Sequence, residues 1–404
     1  MGQKTCLTFA LLVMVVWADH HEGHNHTEHS ADHHLEERTI NNTDFALALY
    51  EKLSNKADAK GKNIFFSPLS ISMALSMLTL GAKGETHSQI INTLGYSSLT
   101  EEQVNKAYEH LLHMLDHSQE AMLLEIGGGL AVREGFKPLD KFLKDLQHFY
   151  QAEAFTVDFS KSDVAVQEIN KFIAKKTKDT ITDMVKSLDT DTIMVLINYI
   201  YFRGKWQKPF LEWATHKSDF YVDENTTVTV DMMILRVEKF NVHITKSFSI
   251  FQLHYIGSAS MLIVLPAKGK MEEVEKQMNS FQIRSWLDKG QQWSVEVFMP
   301  KFSISASASL GDILKEMGVV DAFSDKANFS GMSEDTELKV SNVLHKAVLN
   351  VDERGTEAAG TTTLDIIDKS MPLIINVNRP FLVYIWEKSL KSLLFMGKIV
   401  NPTL

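Results

Sequence analysis

The stretch His345-Lys346-Ala347-Val348-Leu349-Asn350-Val351-Asp352-Glu353-Arg354-Gly355-Thr356-Glu357-Ala358-Ala359-Gly360 decides the reading of this chain. An extended segment that enters a sheet must alternate its faces. Thr356, Ala358, Gly360, Thr362, Leu364 and Ile366 share one parity. The early members are small and uncharged and the later ones aliphatic, so all of them suit a packed interior. Glu357 and Asp365 fall on the other parity and can stay in water. A charge or a proline on the inserting face would slow or block entry. None lies there between Gly355 and Asp368. The competing reading is an ordinary polar loop that leads into a strand.

Outward from this stretch, composition bounds the rest. The chain has 404 residues, a length that by itself suggests two or three domains. Apolar residues at 44% and charged residues at 23% exclude a wholly disordered chain and allow a large core. The formal net charge of −10, with no dense Lys/Arg cluster, argues against nucleic-acid binding.

At the N-terminus, Lys4 precedes an apolar run from Leu7 to Trp17 that ends at Ala18. The run is short for a membrane span, and Val16-Trp17-Ala18 resembles a small-residue cleavage site. Residues 1–18 are therefore expected to be a secretory signal peptide, and the protein an extracellular one with no membrane attachment. Cleavage there removes Cys6, the only cysteine. The mature chain then has no disulfide and no thiolate metal site, and its stability must come from packing.

Residues 19–43 read as a flexible arm. His20, His21, His24, His26, His29, His33 and His34 crowd it, mixed with acidic residues. These imidazoles are weak candidates for zinc or copper chelation. A solvated tail is the preferred reading, with no metal and no cofactor expected. Four sequons, at Asn25, Asn41, Asn225 and Asn328, are candidate glycan acceptors. Asn225 sits in the polar run Asp223–Thr227, which reads as a hairpin turn. Asn328 lies beside apolar Phe329.

Helical spacing is expected over Asp44–Leu53, with Asn42 and Thr43 as cap candidates, and over Ser70–Leu80 after Ser67-Pro68. Glu101–Leu115 and Ser162–Lys176 also read as helices. Ile193–Phe202, Phe248–Leu253, Met261–Leu265, Ser294–Phe302, Leu373–Val377, Phe381–Ile385 and Leu393–Ile399 read as strands. Helices early and strands late favour a mixed α+β class over repeating βαβ units. Enzyme signatures are missing: there is no G-x-S-x-G elbow and no H-E-x-x-H helix. Gly127-Gly128-Gly129 lacks the Gly-Lys-[Ser/Thr] of a phosphate loop and reads as a sheet edge or bend.

The opening stretch resembles the serpin superfamily, most closely its alpha-1-antitrypsin-like plasma inhibitors. Asn63-Ile64-Phe65-Phe66-Ser67-Pro68-Leu69-Ser70 and Leu80-Gly81-Ala82-Lys83-Gly84 resemble the family's central buried helix and its surroundings. Asn198-Tyr199-Ile200-Tyr201-Phe202-Arg203-Gly204-Lys205-Trp206 resembles the strand behind its gate. Asn378-Arg379-Pro380-Phe381 and Phe395-Met396-Gly397-Lys398-Ile399-Val400-Asn401-Pro402 fit its final strands. The resemblance spans about Asp44 to the C-terminus and leaves out the histidine-rich arm.

It implies a single α+β domain over 44–404 with three β-sheets, eight or nine helices and an exposed reactive-centre loop at about 354–373. It also implies suicide inhibition of serine proteases by a secreted monomer that is not itself an enzyme. Glu353, Gly355, Thr356, Glu357, Ala358, Ala359, Gly360, Thr361 and Thr362 would form the hinge. Ser67, Ser70, Asn198 and His345 would sit in the gate beneath the opening strands. Equal spacing to Asn378-Arg379-Pro380-Phe381 places the scissile bond at Lys369–Ser370.

Lys369 suits a deep pocket with a buried carboxylate, as in trypsin-like proteases, and departs from the methionine of the antitrypsin-like inhibitors. The alternative is a non-inhibitory serpin serving as a hormone carrier or collagen chaperone. Ala358-Ala359-Gly360-Thr361-Thr362 favours the inhibitor. A heparin-dependent inhibitor is a third class. The helix that would face heparin, Glu101–Leu115, has one lysine, Lys106, against Glu101, Glu102 and Glu109, so strong heparin dependence is not expected.

Overall fold

The computed structural model describes residues 42–56, 59, 61–117, 122–288, 290–334, 338–354 and 371–404. The signal, the arm as far as Asn41 (Asn25 included) and the loop from Gly355 to Ser370 lie outside the described residues; the arm's expected last residues, Asn42 and Thr43, are buried, and Thr43 opens the first helix. The described chain is α+β, and Thr39–Leu404 forms one compact unit.

The helices are α1 (Thr43–Ser54), α2 (Pro68–Thr79), α3 (Gly84–Leu94), α4 (Glu101–His117), α5 (Asp140–Tyr150), α6 (Ser162–Lys176), α7 (Met271–Gln277), α8 (Ser280–Asp288) and α9 (Gly311–Glu316). Helix α2 organises the core. Apolar residues surround it, and every residue from Pro68 to Thr79 is buried, as expected of a helix with no polar stripe. Three of its hydroxyls donate within the helix: Ser72 Oγ to Leu69 O at 3.0 Å, Ser76 Oγ to Ser72 O at 2.8 Å and Thr79 Oγ1 to Ser76 O at 2.7 Å. Pro68 opens the helix, and Ser67 caps it by accepting from Ser70 N at 3.1 Å. Asn42 stands at the N-cap of α1 but makes no side-chain cap bond there. Its amide instead pairs with the backbone of Leu393, donating at 2.9 Å and accepting at 3.0 Å.

One sheet has five strands. Its order is β10 (Phe302–Ser309), β11 (Asn342–Val351), β4 (Met194–Gly204), β2 (Met122–Arg133) and β3 (Glu153–Val157). Strands β11 and β4 are parallel neighbours, with Asn342 opposite Val195 and Leu349 opposite Phe202. Helix α6 and the chain after it cover the outer face. Ile181, Met184 and Val185 cluster there with Tyr199, Tyr201, Leu344 and Val348. The inner face packs on α2 within the main core.

Gly127, Gly128 and Gly129 form no bend: they sit inside β2, all three opposite β4, and Gly129 alone is also paired with β3, so Gly127 and Gly128 lie on an edge as expected. A Cβ on Gly128 would stand 2.5 Å from Ile197 O and 3.1 Å from Met77 Cε, so the backbone of β4, with α2 behind it, leaves no room for a side chain.

The remaining strands are β1 (Ile64–Phe66), β5 (His216–Tyr221), β6 (Thr227–Ile244), β7 (Phe248–His254), β8 (Ala259–Pro266), β9 (Gln291–Pro300), β12 (Leu373–Asn376), β13 (Phe381–Glu387) and β14 (Ser392–Ile399). They form one hydrogen-bonded sheet in the order β1-β14-β13-β8-β7-β6-β9-β12, with β5 beside β6. Three sheets were expected, and among the described residues two of the three are joined into one continuous ladder. The reason is β6, eighteen residues long with a register shift between Leu235 and Glu238. Such an irregularity bends a strand without ending its ladder. Its first part pairs β5 and its last part pairs β7, so two expected sheets run into each other. The expected strand Ser294–Phe302 is likewise two strands, broken at Lys301.

Candidate functional site: the seam between two parallel strands

The four residues expected at the gate come together in one buried network. His345 and Asn198 lie directly opposite each other on β11 and β4. His345 Nε2 accepts from the backbone N–H of Ser67 at 3.1 Å. That bond fixes the tautomer: the proton is on Nδ1, which donates to Asn198 Oδ1 at 2.5 Å. Ser70 Oγ donates to the same Asn198 oxygen at 2.9 Å. One amide oxygen thus joins β4, β11 and the first turn of α2. The network tolerates no charge. Burial pushes the His345 imidazole down to about 3, so it is neutral across the physiological range. The Asn198 Nδ2 group is buried without a hydrogen-bond partner in the structure.

Above the gate, β11 ends at Val351 and the next three residues are anchored one by one. The Trp206 indole N–H donates to Asp352 O at 2.8 Å. Phe210 N–H donates to Glu353 O at 2.9 Å. The Glu353 carboxylate, 8% exposed, accepts from Lys301 Nζ at 2.9 Å and Thr215 Oγ1 at 2.8 Å. Burial alone would raise this carboxyl. The bonds from Lys301 and Thr215 outweigh it, and the group lies below the ordinary glutamate range. Arg354 grips Glu212 through two nitrogens. The chain re-enters at Met371 and pairs β12 in parallel with β9. The loop therefore leaves from one sheet and returns to the other.

Lys301, Thr215 and Glu212 were missed in the sequence. Lys301 carried a legible signal, because it interrupts the alternation of Ser294–Phe302 with a charge. Thr215 and Glu212 carried none, lying on a short 3₁₀ segment and its end. Glu353 is the one hinge residue within the described part. Gly355, Thr356, Glu357, Ala358, Ala359, Gly360, Thr361 and Thr362, and the Lys369–Ser370 bond, lie outside it. Asn225 is exposed on the turn between β5 and β6, where its N–H donates to Asp223 Oδ1 at 2.8 Å. Asn328 is also exposed, but its side-chain oxygen accepts from Ser330 Oγ at 2.8 Å. On α4, Lys106 is already paired with Glu102 at 2.8 Å. Among the described residues no helix is long and apolar enough to cross a membrane, and no cluster of His, Cys, Asp and Glu could hold a metal.

The pattern of the serpin (serine protease inhibitor) family matches residues 40–402, and the chain belongs to that family. Among curated relatives, an alpha-1-antitrypsin homolog of Cyprinus carpio is 56% identical over 80% of this chain and 87% of its own. The alpha-1-antitrypsin-like protein GS55-MS of Ictidomys tridecemlineatus is 42% identical over 93% and 91%. Among solved structures, human thyroxine-binding globulin complexed with thyroxine superposes with a TM-score of 0.85 at 39% identity, covering 92% of this chain and 100% of that one. Human glycosylated kallistatin gives 0.83 at 39% identity, covering 90% and 97%. The protein is therefore an extracellular, non-catalytic protein of the protease-inhibitor type.

Proposed function

We propose that the chain traps trypsin-like serine proteases as a suicide substrate, with Lys369–Ser370 as the bait bond. The observation that carries this is the parallel pairing of β11 with β4 at the point where the loop departs. A strand that turns back from the end of β11 and enters this seam runs antiparallel to both neighbours. One parallel ladder is exchanged for two antiparallel ones, which are more stable per residue. While β11 and β4 are paired the seam is closed, and an uncut loop stays covalently joined at both ends. Cleavage releases one end, and the stored free energy becomes available.

In chemical terms, the protease serine Oγ adds to the Lys369 carbonyl and the C–N bond to Ser370 breaks. Ser370 leaves with a new amine, and Lys369 stays as an ester on the protease. Insertion of Thr356, Ala358, Gly360, Thr362, Leu364 and Ile366 as the buried face then drags the ester away. The protease's oxyanion hole and triad are distorted before water can complete hydrolysis. In this scheme Ser67, Ser70, Asn198 and His345 hold the seam shut until the cut. Glu353, with Lys301 and Thr215, anchors the hinge.

The test is incubation with trypsin at near-equal molar ratio, followed by a denaturing gel and N-terminal sequencing. The expected result is an SDS-stable complex and a released peptide that begins at Ser370. Clean cleavage without a complex would reject trapping and leave a carrier role, of the kind the name thyroxine-binding globulin indicates, as the better reading.

A further inference from the structure

A cleft of about 160 Å³ opens beside the end of β4, in the large sheet. Its floor is apolar and aromatic: Trp206, Leu235, Phe240 and Leu253 are each under 10% exposed. Its rim is formed by the side chains of Gln207, Lys208, Lys239, Asn241, His254 and Gln292, with no carboxylate among them. The rim cations are not equivalent. Lys208 is bound to Glu238. His254 Nδ1 is 2.8 Å from Ser260 Oγ, and burial and the nearby Lys388 hold its imidazole below the ordinary range. Lys239 has no carboxylate partner among the described residues. An apolar floor with a few convergent polar groups is the usual lining of a small-ligand site.

We propose that this cleft binds a compact aromatic or aliphatic anion, its apolar body on Trp206 and Phe240 and its carboxylate or sulfonate on Lys239. The site is coupled to the loop through one side chain. The Trp206 indole that floors the cleft also donates to Asp352 O, and it stacks on Tyr255 at 4.2 Å. A ligand packed on that indole holds the end of β11 in its present place and slows opening of the seam. The binding site does not depend on whether the chain traps a protease.

The test uses the full-length protein and 2-naphthalenesulfonate as probe, with neutral 2-naphthalenemethanol as its partner, by titration calorimetry. One saturable site is expected for the sulfonate. Lys239→Ala weakens it about tenfold, the value of roughly one lost charge-assisted contact, and leaves the alcohol unchanged. Gln292→Trp, which fills the mouth from an exposed position, removes both while the melting temperature stays at the wild-type value. Saturating sulfonate slows heat-induced conversion on a native gel in the wild type and not in Lys239→Ala. Sulfonate binding that is absent, or indifferent to both variants, would overturn the site. Conversion that ignores a bound probe would overturn the coupling.

Discussion

His345 is a base that the fold keeps uncharged, and the consequence can be measured. Its pKa falls from 6.5 to about 3 on folding, through burial. Between those values the unfolded chain binds the proton and the folded one does not. Stability therefore falls as pH drops from 6.5 toward 3, and the full contribution is present above 6.5. Denaturant unfolding at pH 7 and about pH 5 should show the wild type losing about 2 kcal/mol more than His345→Asn over that step. Equal losses would remove the imidazole from the account. His345→Ala leaves the Ser67 N–H without its acceptor and the Asn198 oxygen with Ser70 Oγ alone, at a cost of about 1–3 kcal/mol. It should speed conversion to latent or polymeric forms on a native gel after mild heating, and unchanged conversion would contradict the gate role. These four residues were legible because each lies in a long family-like run. What the sequence did not show was the tautomer or the shared oxygen, since both depend on which strands become neighbours.

At the scale of elements, Glu353 of the proposed hinge is held by Lys301 from the junction of β9 and β10 and by Thr215. Lys301→Ala leaves Glu353 buried with one donor fewer, which costs about 1–3 kcal/mol. The expected outcome is faster polymerisation by light scattering at mildly raised temperature, and a rate equal to wild type would show that Thr215 suffices. A charge on the inserting face has a different effect. Ala358→Glu must bury a carboxylate in the sheet, and insertion slows about tenfold for each 1.4 kcal/mol of that cost. The variant should be cut by trypsin yet yield little complex. Complex yield unchanged from wild type would refute the parity assignment.

Helix and strand periods were readable where one face dominates: Ser162–Lys176 appears with the same bounds in the fold. They were misleading where contacts at long range decide. The Gly127–Gly129 run reads in isolation as a sheet edge or bend, and it is held straight inside β2 by its pairing with β4. The merging of two sheets through β6 depends on a register shift that no local pattern announces.

For the whole molecule, the central claim is that β4 and β11 must part to admit the loop. Val348 and Tyr201 are opposite each other across that seam, near the end where the loop departs. Opposed positions on neighbouring strands are close enough for a disulfide. A Val348→Cys, Tyr201→Cys variant can thus be locked and unlocked without any change in bait or hinge. The measurement is complex formation with trypsin by denaturing gel, in oxidised and reduced samples of that variant. The oxidised protein should be cleaved at Lys369–Ser370 without forming a complex, and reduction before mixing should restore it. A locked protein that still gives the SDS-stable complex would contradict insertion between these two strands.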